Sequence, residues 1–322
     1  MIRLWVASQD YRNDIVVSEE RLKKVSETYR GIRNALRYQL SNLYDFHPSH
    51  NAVADKDLTG LDGWILNEFA KLERDVLAAY DRYEFHVVYQ RISQFVAVEL
   101  SSQYHDIVKD RLYTDPANST RRRSTQTALH QIVTGLCRML APILSFTADE
   151  AWEFVPGATH ESVHEETVAP SRSVFSADDE RDWSQLLVMR ERVLPELEKA
   201  RQAKLIGKAL EAKVILVAEK KLLQLPKRYA LEFREIINVS QLTFAPPEPG
   251  MLYHDHILDQ PHIEVAKADG MKCERCWHFE TDVGKHADHP TICGRCVEAV
   301  KSTAATVQWT TRLSEPLPIP CR

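Results

Sequence analysis

Two Cys-x-x-Cys pairs near the C-terminal end constrain this chain more than any other feature. The first pair is Cys273 and Cys276, and the second, after sixteen intervening residues, is Cys293 and Cys296. Each pair places two sulfurs on one tight turn, so the four together can surround a single tetrahedral Zn²⁺. Gly294, inside the second pair, supplies the backbone freedom that such a turn favours. Four thiolates leave no coordination position open, which predicts one structural zinc ion and not a catalytic one.

The residues alone leave two alternatives to a four-cysteine site. The cysteines could form disulfides or stay free, but we see no signal peptide and expect a reducing compartment, where this spacing favours metal ligands. A histidine between the pairs could replace one cysteine, and the candidates are His278, His286 and His289. Two further cysteines receive no role: Cys137 lies in an apolar helical pattern and is expected in the core, and Cys321 lies in a proline-rich tail.

The composition limits the classes of protein to consider. The chain has 322 residues, of which 44% are hydrophobic and 27% charged, as in a globular protein with two or three domains. No stretch approaches the roughly 18 apolar residues of a membrane span, so we expect no membrane partner. The 10 glycines form neither common phosphate-binding loop. The net charge of −5 does not indicate a nucleic-acid binder, but a basic face can be balanced by acidic surface elsewhere.

The first two thirds of the chain show the period of amphipathic helices. Ser18, followed by two glutamates, predicts a helix start, and apolar residues then recur every three or four positions. This stripe consists of Leu22, Val25, Tyr29, Ile32, Leu36, Leu40 and Leu43. Similar patterns predict helices from Asp62, near Phe85, after Ser119, from Thr147 with a capping box, and from about residue 182 to residue 206. Successive helices with short connections predict an antiparallel bundle.

The character of the sequence changes after Gly207. Short β-branched runs bounded by turn residues predict strands at 214–218, 239–244 and 263–266. Residues 220–225 and 229–237 between them are expected to be helical. The sequence therefore predicts a small α/β unit, followed by the zinc module.

Seven stretches spread along nearly the whole chain carry a family resemblance. They are residues 2–8 (IRLWVAS), 32–37 (IRNALR), 83–86 (YEFH), 108–113 (VKDRLY), 141–152 (APILSFTADEAW), 206–212 (IGKALEA) and the four-cysteine module. In this order they resemble the C-terminal part of bacterial-type isoleucyl-tRNA synthetases, which are class I enzymes. The valine and leucine relatives share the bundle but not the terminal four-cysteine module. One departure is Ala209, where the family usually has serine.

This resemblance implies a mainly α architecture, in which an antiparallel helix bundle precedes a small α/β unit and a four-cysteine zinc ribbon. The implied divisions are the end of a stem-contact region (1–20), a helical anticodon-binding domain (21–207), a junction domain (208–268), a zinc module (269–302) and a tail (303–322). The implied function is tRNA binding within isoleucine–tRNA ligase, which attaches isoleucine to its tRNA using ATP. The implied setting is a cytoplasmic monomer that binds the anticodon arm of isoleucine tRNA and no DNA.

The catalytic signatures of the family are missing from this sequence. Neither HIGH nor KMSKS occurs, and the editing domain lies upstream in the family, so we expect this chain alone to be inactive. ATP and Mg²⁺ would be bound only through a catalytic domain that the sequence lacks.

An RNA-reading surface needs cations for phosphates and flat groups for stacking on bases. The candidate side chains are Arg30, Arg33, Arg37, Arg121, Arg122, Arg123, Arg275, Arg295 and Trp277. For each of them an ordinary solvated surface position is the alternative.

Two other functions stay open from the sequence. One is a freestanding zinc-containing RNA-binding factor. The other is a formamidopyrimidine DNA glycosylase, because those enzymes end in a similar four-cysteine module. They use an N-terminal proline nucleophile, however, whereas this chain starts Met-Ile-Arg and has a helical body.

Overall fold

A computed structural model describes residues 1–247 and 260–302 of the chain. It separates into two compact units. The first comprises Met1–Leu112 and Thr120–Glu180, and the second comprises Tyr113–Ser119 and the described residues from Arg181 onward. None of the described helices combines the length and the apolar composition that a membrane span needs.

The first unit is built from helices, which confirms the mainly α prediction. The helices up to residue 202 are α1 (Ile2–Ala7), α2 (Glu19–Ser41), α3 (Pro48–Asn51), α4 (Gly60–Asp81), α5 (Phe85–Phe95), α6 (His105–Ile107), α7 (Lys109–Thr114), α8 (Thr120–Leu140), α9 (Ser145–Trp152) and α10 (Ala177–Gln202). A π-helix at Val96–Tyr104 continues α5, and short 3₁₀ turns lie at Asp55–Asp57 and Val163–Glu165.

The predicted apolar stripes form the core of the first unit. On α2, Val25, Ile32 and Leu36 are buried. The predicted stripe of α8 is also buried, and its members are Leu129, Ile132, Val133, Leu136 and Leu140. The helix ends at Leu140, two residues before Pro142, because proline cannot continue the hydrogen-bond ladder.

Serine hydroxyls accept backbone hydrogen bonds at the starts of α2 and of the last long helix, but the predicted cap of α9 is not formed. Ser18 caps α2 by accepting a hydrogen bond from the Arg21 amide, as predicted. The capping box predicted at Thr147 is wrong, because α9 begins at Ser145 and the Thr147 hydroxyl instead pairs with that of Tyr29 at 3.0 Å. The last long helix begins near Ser176, whose hydroxyl accepts from the Asp179 amide at 3.2 Å, several residues before the predicted start.

A buried polar network, absent from the sequence predictions, joins four helical segments of the first unit. Asp62 on α4 is fully buried and lies 3.1 Å from the Arg111 guanidinium of α7. The same carboxylate accepts hydrogen bonds from Tyr104 at 2.6 Å and from Thr125 of α8 at 3.1 Å. An unpaired buried charge is costly, so these donors together stabilise the carboxylate inside the bundle.

The second unit contains a three-stranded sheet in the order β2-β1-β3, as the predicted α/β character requires. Its strands are β1 (Ala212–Val217), β2 (Gln241–Ala245) and β3 (His262–Lys267). Strand β1 pairs in parallel with β2 and antiparallel with β3. The helices α11 (Gln224–Arg228) and α12 (Ala230–Ile236) connect the parallel pair, as such a crossover needs. The helix predicted at 220–225 is shifted, since residues 220–223 form turns.

The zinc module begins with a short hairpin of β4 (Met271–Lys272) and β5 (Phe279–Glu280). The tail at 303–322, with Cys321, lies outside the described residues, as does the end of the proline-rich stretch at 245–250. The five-part division of the chain therefore stays a prediction.

Candidate zinc centre and nucleic-acid interface

The two cysteine pairs meet in one buried cluster. The sulfurs of Cys273, Cys276, Cys293 and Cys296 all lie within 4.8 Å of one another. The four cysteines form no disulfide, and the Cys276 and Cys293 sulfurs are 3.8 Å apart. A ZnS₄ tetrahedron with bonds of about 2.3 Å has an edge of about 3.8 Å, whereas a disulfide bond is about 2.05 Å long. The spacing thus fits a single four-coordinate zinc ion.

Backbone hydrogen bonds shape each cysteine pair into a tight turn. In the first turn the Trp277 amide donates to the Cys273 carbonyl at 2.9 Å, and Trp277 takes a positive φ of 67°. In the second turn the Cys293 amide points at the Cys273 sulfur at 3.4 Å. An N–H group aimed at a sulfur stabilises the thiolate form, which is the form that binds metal.

Gly294 serves the second turn in a different way from the one predicted. Its φ is not in the positive range that favours glycine. A Cβ at this position would lie 2.8 Å from the Asp282 carboxylate, which accepts a hydrogen bond from the Gly294 amide at 2.8 Å. The glycine therefore permits a close approach of the Asp282 side chain, which ties the loop between the pairs to the second turn.

The histidines of that loop do not join the metal-binding group. The ligand atoms that cluster in the described part of the chain are the four sulfurs. His286 lies 3.3 Å from Asp282 instead. The four-cysteine prediction is thereby confirmed against the histidine alternative.

The protonation of the cluster also suits a cation. Contacts with the Cys293 and Cys296 sulfurs lower the pKa of the Cys276 thiol. The contact with Cys276 raises the pKa of Cys293, and it raises that of Cys296 to about 11. A bound zinc ion supplies the charge that lets all four sulfurs be thiolates together.

The arginines of α2 line an open groove in the first unit. Arg30, Arg33 and Arg37 are all exposed, and the last two line a groove of ≈ 660 Å³ together with Leu40, Tyr44 and Phe154. Tyr44 and Phe154 are 82% and 66% exposed. Sequence reasoning missed both aromatic side chains, because each falls just past a helix end, where no periodic pattern marks the surface.

Charge in this groove is mixed. Arg33 pairs with Glu150 of α9 at 2.8 Å, and both side chains are more than half exposed. An exposed pair of this kind contributes about 0–1 kcal/mol. A phosphate could therefore displace the carboxylate at little cost.

The arginine run at the start of α8 has a different placement. Arg122 is 3% exposed and binds the Asp45 carboxylate through two nitrogens at 2.6 and 2.9 Å. Arg123 donates to the Asp45 carbonyl at 2.8 Å, and Arg121 lies 3.3 Å from Asp110. This burial and pairing argue against the phosphate contact expected for Arg122 and Arg123.

Hydrogen-bond partners determine the ionisation of Asp45. Burial alone would raise the pKa of its carboxyl, but hydrogen bonds from Arg122 and Gln126 hold that pKa below the usual value. Burial lowers the pKa of Arg123, and the attraction of Asp45 opposes this shift. Arg122 and the Asp45 carboxylate thus stabilise each other inside the bundle.

The RNA-contact candidates on the zinc module differ in their exposure and in the groups they contact. Trp277 is 56% exposed, with the ammonium groups of Lys208 and Lys272 at 5.8 and 5.7 Å from its ring. Lys208 belongs to the IGKALEA stretch, in which the Gly207 amide donates to Glu211 at 2.8 Å. Arg275 and Arg295 instead contact the loop Tyr113–Ser119 of the same unit, which comprises the last two residues of α7 and the connection to α8.

Family models match two parts of the chain. The model described as "Anticodon-binding domain of tRNA ligase" matches residues 62–216, and "Zinc finger found in FPG and IleRS" matches residues 270–299. The second match contains all four clustered cysteines.

Curated relatives extend the match along almost the whole chain. The isoleucine–tRNA ligase of Syntrophotalea carbinolica is 44% identical over 299 residues, which are 92% of this chain and 32% of the relative. That of Desulfitobacterium hafniense is 45% identical over 305 residues, 93% of this chain and 33% of the relative. That of Histophilus somni is 40% identical over 314 residues, 96% of this chain and 33% of the relative.

The chain matches the C-terminal anticodon-binding and zinc-finger part of the isoleucine–tRNA ligase family. It spans about a third of the length of the curated relatives it matches. The family resemblance predicted from the sequence is confirmed, and the four-cysteine cluster is a structural zinc site, as its zinc-finger match and its geometry agree. The freestanding RNA-binding factor finds no support in these comparisons.

Proposed function

We propose that this chain binds the anticodon arm of isoleucine tRNA as part of an isoleucine–tRNA ligase. The observation that carries the proposal is the groove beside α2, where Arg33 and Arg37 lie next to exposed Tyr44 and Phe154. Sequence-specific RNA recognition relies on unpaired bases that stack on aromatic rings while cations bind the neighbouring phosphates. The groove offers both kinds of group within one surface of the first unit.

Arg30 and Arg121 extend the proposed cationic surface of the bundle. Arg30 is exposed on α2, one turn before Arg33. Arg122 and Arg123 support this surface only indirectly, by holding the start of α8 through Asp45. We therefore expect changes at Arg33 and Arg37 to weaken RNA binding more than changes elsewhere in the bundle.

Trp277 is the proposed second contact, on the other unit. Its exposed ring can stack on a base, and Lys208 and Lys272 can bind the phosphates on either side. We assign Arg275 and Arg295 a smaller part in RNA binding, because their guanidinium groups already contact the loop Tyr113–Ser119.

The whole protein is proposed to attach isoleucine to its tRNA with ATP and Mg²⁺, acting as a cytoplasmic monomer. The described chain supplies tRNA binding alone, since no HIGH or KMSKS signature occurs in the sequence. The expected result is no isoleucine-dependent exchange of pyrophosphate into ATP by this chain. Measurable exchange by the pure chain would contradict the assignment of tRNA binding alone to this chain.

Anticodon reading is tested by titrating the chain with isoleucine tRNA and with a variant that carries a different anticodon. Each base read by stacking or edge contacts contributes about 1–3 kcal/mol, so the swapped tRNA should bind at least about tenfold more weakly. The control is a second variant with the natural anticodon and an altered acceptor stem, which should bind as well as the natural tRNA. Equal affinity for the natural and swapped anticodons would reduce the chain to a nonspecific polyanion binder.

A further inference from the structure

The loop Tyr113–Ser119 comprises the last two residues of α7 and the connection to α8, and it belongs to the second unit. Two arginines hold it, one from each cysteine pair of the zinc module. Arg275 lies between Cys273 and Cys276, and Arg295 lies between Cys293 and Cys296. Both were RNA-contact candidates from the sequence, so their engagement with protein groups calls for a different role.

Arg275 contacts the loop and the metal-binding cluster with one side chain. One nitrogen of its guanidinium donates to the Thr114 carbonyl and lies 3.7 Å from the Cys296 sulfur. Its other terminal nitrogen donates to the Tyr113 carbonyl at 3.4 Å. The planar guanidinium presents separate nitrogens to the two carbonyls and the sulfur, whereas the compact ammonium of a lysine cannot reach all three groups in this way.

Arg275 thereby connects a cysteine of the metal-binding cluster to the backbone of residues 113 and 114. A metal ion held by the four sulfurs fixes the position of Cys296, and groups that contact a metal ligand are fixed with it. The Arg275 side chain, and with it the Thr114 and Tyr113 carbonyls, is therefore held in place when zinc is bound.

Arg295 adds a second connection between the zinc module and the loop. Its guanidinium lies 3.5 Å from the Asp115 carboxylate, whose side chain is only 6% exposed. A carboxylate so deeply buried requires a cation or donors nearby. Movement of the second cysteine turn would thus disturb Asp115 as well.

We propose that Arg275 is a positioning residue that hydrogen-bonds the zinc-bound Cys296 sulfur and, together with Arg295, makes the conformation of the loop Tyr113–Ser119 depend on zinc loading. The zinc module thereby controls the segment that leads into α8, in addition to stabilising its own fold. Partners of metal ligands orient those ligands, and their loss typically lowers metal affinity about 10–100-fold.

The experiment compares the zinc-loaded chain with Arg275→Ala, Arg275→Lys and Arg228→Ala variants. Arg228 is an exposed arginine of the same unit that pairs with Asp182, so it serves as a matched control. Zinc affinity is measured by competition with a chromophoric chelator. Protection of the loop is measured by hydrogen–deuterium exchange of peptides that cover residues 113–119, with and without zinc.

The wild-type loop should exchange slowly with zinc and faster after chelation. Arg275→Ala should bind one zinc about 10–100-fold more weakly and exchange faster in the loop even when loaded, while Arg228→Ala should match the wild type. Arg275→Lys should keep part of the zinc affinity but lose the loop protection. A loaded Arg275→Ala protein with wild-type loop exchange would overturn the proposal, as would a wild-type loop that does not respond to chelation.

Asp115→Asn keeps the proposal testable if the Arg275 variants fail to fold. This change alters no residue of the cysteine turns and weakens the Arg295 contact from the loop side. Loop exchange should rise at saturating zinc, while the zinc affinity stays within about threefold of the wild type. Unchanged loop exchange in this variant would contradict the second connection.

Discussion

The helix bundle and the zinc module reach stability by different means. The bundle buries long apolar stripes on α2, α4 and α8 and includes one fully enclosed ionic network around Asp62. The zinc module has a core of four cysteines with Val283, against which Ile292 packs. Few apolar side chains remain to be buried in such a short segment, so a metal ion supplies the stability that a core cannot. The comparison teaches that one chain can combine a scaffold stabilised by its apolar core with a part whose fold is expected to depend on a metal ion.

Zinc removal is expected to produce the largest difference between the two regions. Structural zinc sites contribute about 10–16 kcal/mol of apparent binding free energy. Chelation should therefore unfold the β4–β5 hairpin and the second cysteine turn, while the helical circular dichroism of the bundle persists. The control is Cys137→Ser, which should leave zinc stoichiometry at one per chain because Cys137 lies buried on α8. Loss of the bundle signal on chelation would mean that the two regions are not independently stabilised.

The ionic network of the bundle gives the next largest effect. Asp62→Asn leaves the buried Arg111 without its counter-charge, which should lower the free energy of unfolding of the bundle by about 3–5 kcal/mol. The matched control is Asp75→Asn, which removes an exposed partner of Arg91 and should cost less than about 1 kcal/mol. Urea unfolding followed by helical circular dichroism gives both values. Similar losses in the two variants would refute the structural role of Asp62.

The two arginine clusters of the bundle should respond to mutation in opposite ways. Arg122→Ala removes the buried partner of Asp45 and should cost about 2–4 kcal/mol of stability. Arg33→Ala breaks an exposed pair and should change stability by less than about 1 kcal/mol, yet weaken RNA binding. Thermal unfolding and tRNA titration of the same two proteins separate the effects. The account fails here if Arg33→Ala proves the less stable protein.

The Asp45 cluster also predicts a pH dependence of the bundle. The pKa of Asp45 is lower in the folded protein than its ordinary value of 3.8. Its ionised form is therefore bound more strongly in the folded state, and the resulting stability is present above pH 3.8 and is lost as the pH falls through the lowered pKa. In Asp45→Asn this part of the acid destabilisation should vanish. Identical acid-unfolding profiles for the two proteins would show that Asp45 contributes nothing.

The sequence predicted the features whose signals are local. Cysteine spacing predicted the zinc site because both turns are short, and apolar periodicity predicted α2 and α8 because each helix buries one face. The strands β1, β2 and β3 were also predicted, with shifted ends. The Thr147 capping box was wrong because the hydroxyl of Tyr29, distant in the sequence, binds Thr147.

Long-range partners determined what the sequence could not predict. The burial of Arg122 depends on Asp45, which lies 77 positions away, so the middle residue of an arginine run that resembles a phosphate-binding patch is internal. The Asp62 network likewise joins residues 49 positions apart. Arg275 contacts Thr114 over 161 positions, which no local pattern in either segment signals.

The most direct test of the account is the salt dependence of isoleucine tRNA binding by an Arg33→Ala/Arg37→Ala double variant. Lys24→Ala is the control, because Lys24 lies on the opposite face of α2 from Arg33, nine residues and thus about 180° away. For single-stranded RNA, each lost phosphate contact should reduce the slope of log K against log salt by about 0.7. The double variant should therefore bind more weakly with a slope shallower by about 1.4, while Lys24→Ala keeps the wild-type slope. Equal slopes and affinities for the double variant and the wild type would contradict the assignment of the α2 groove to RNA binding.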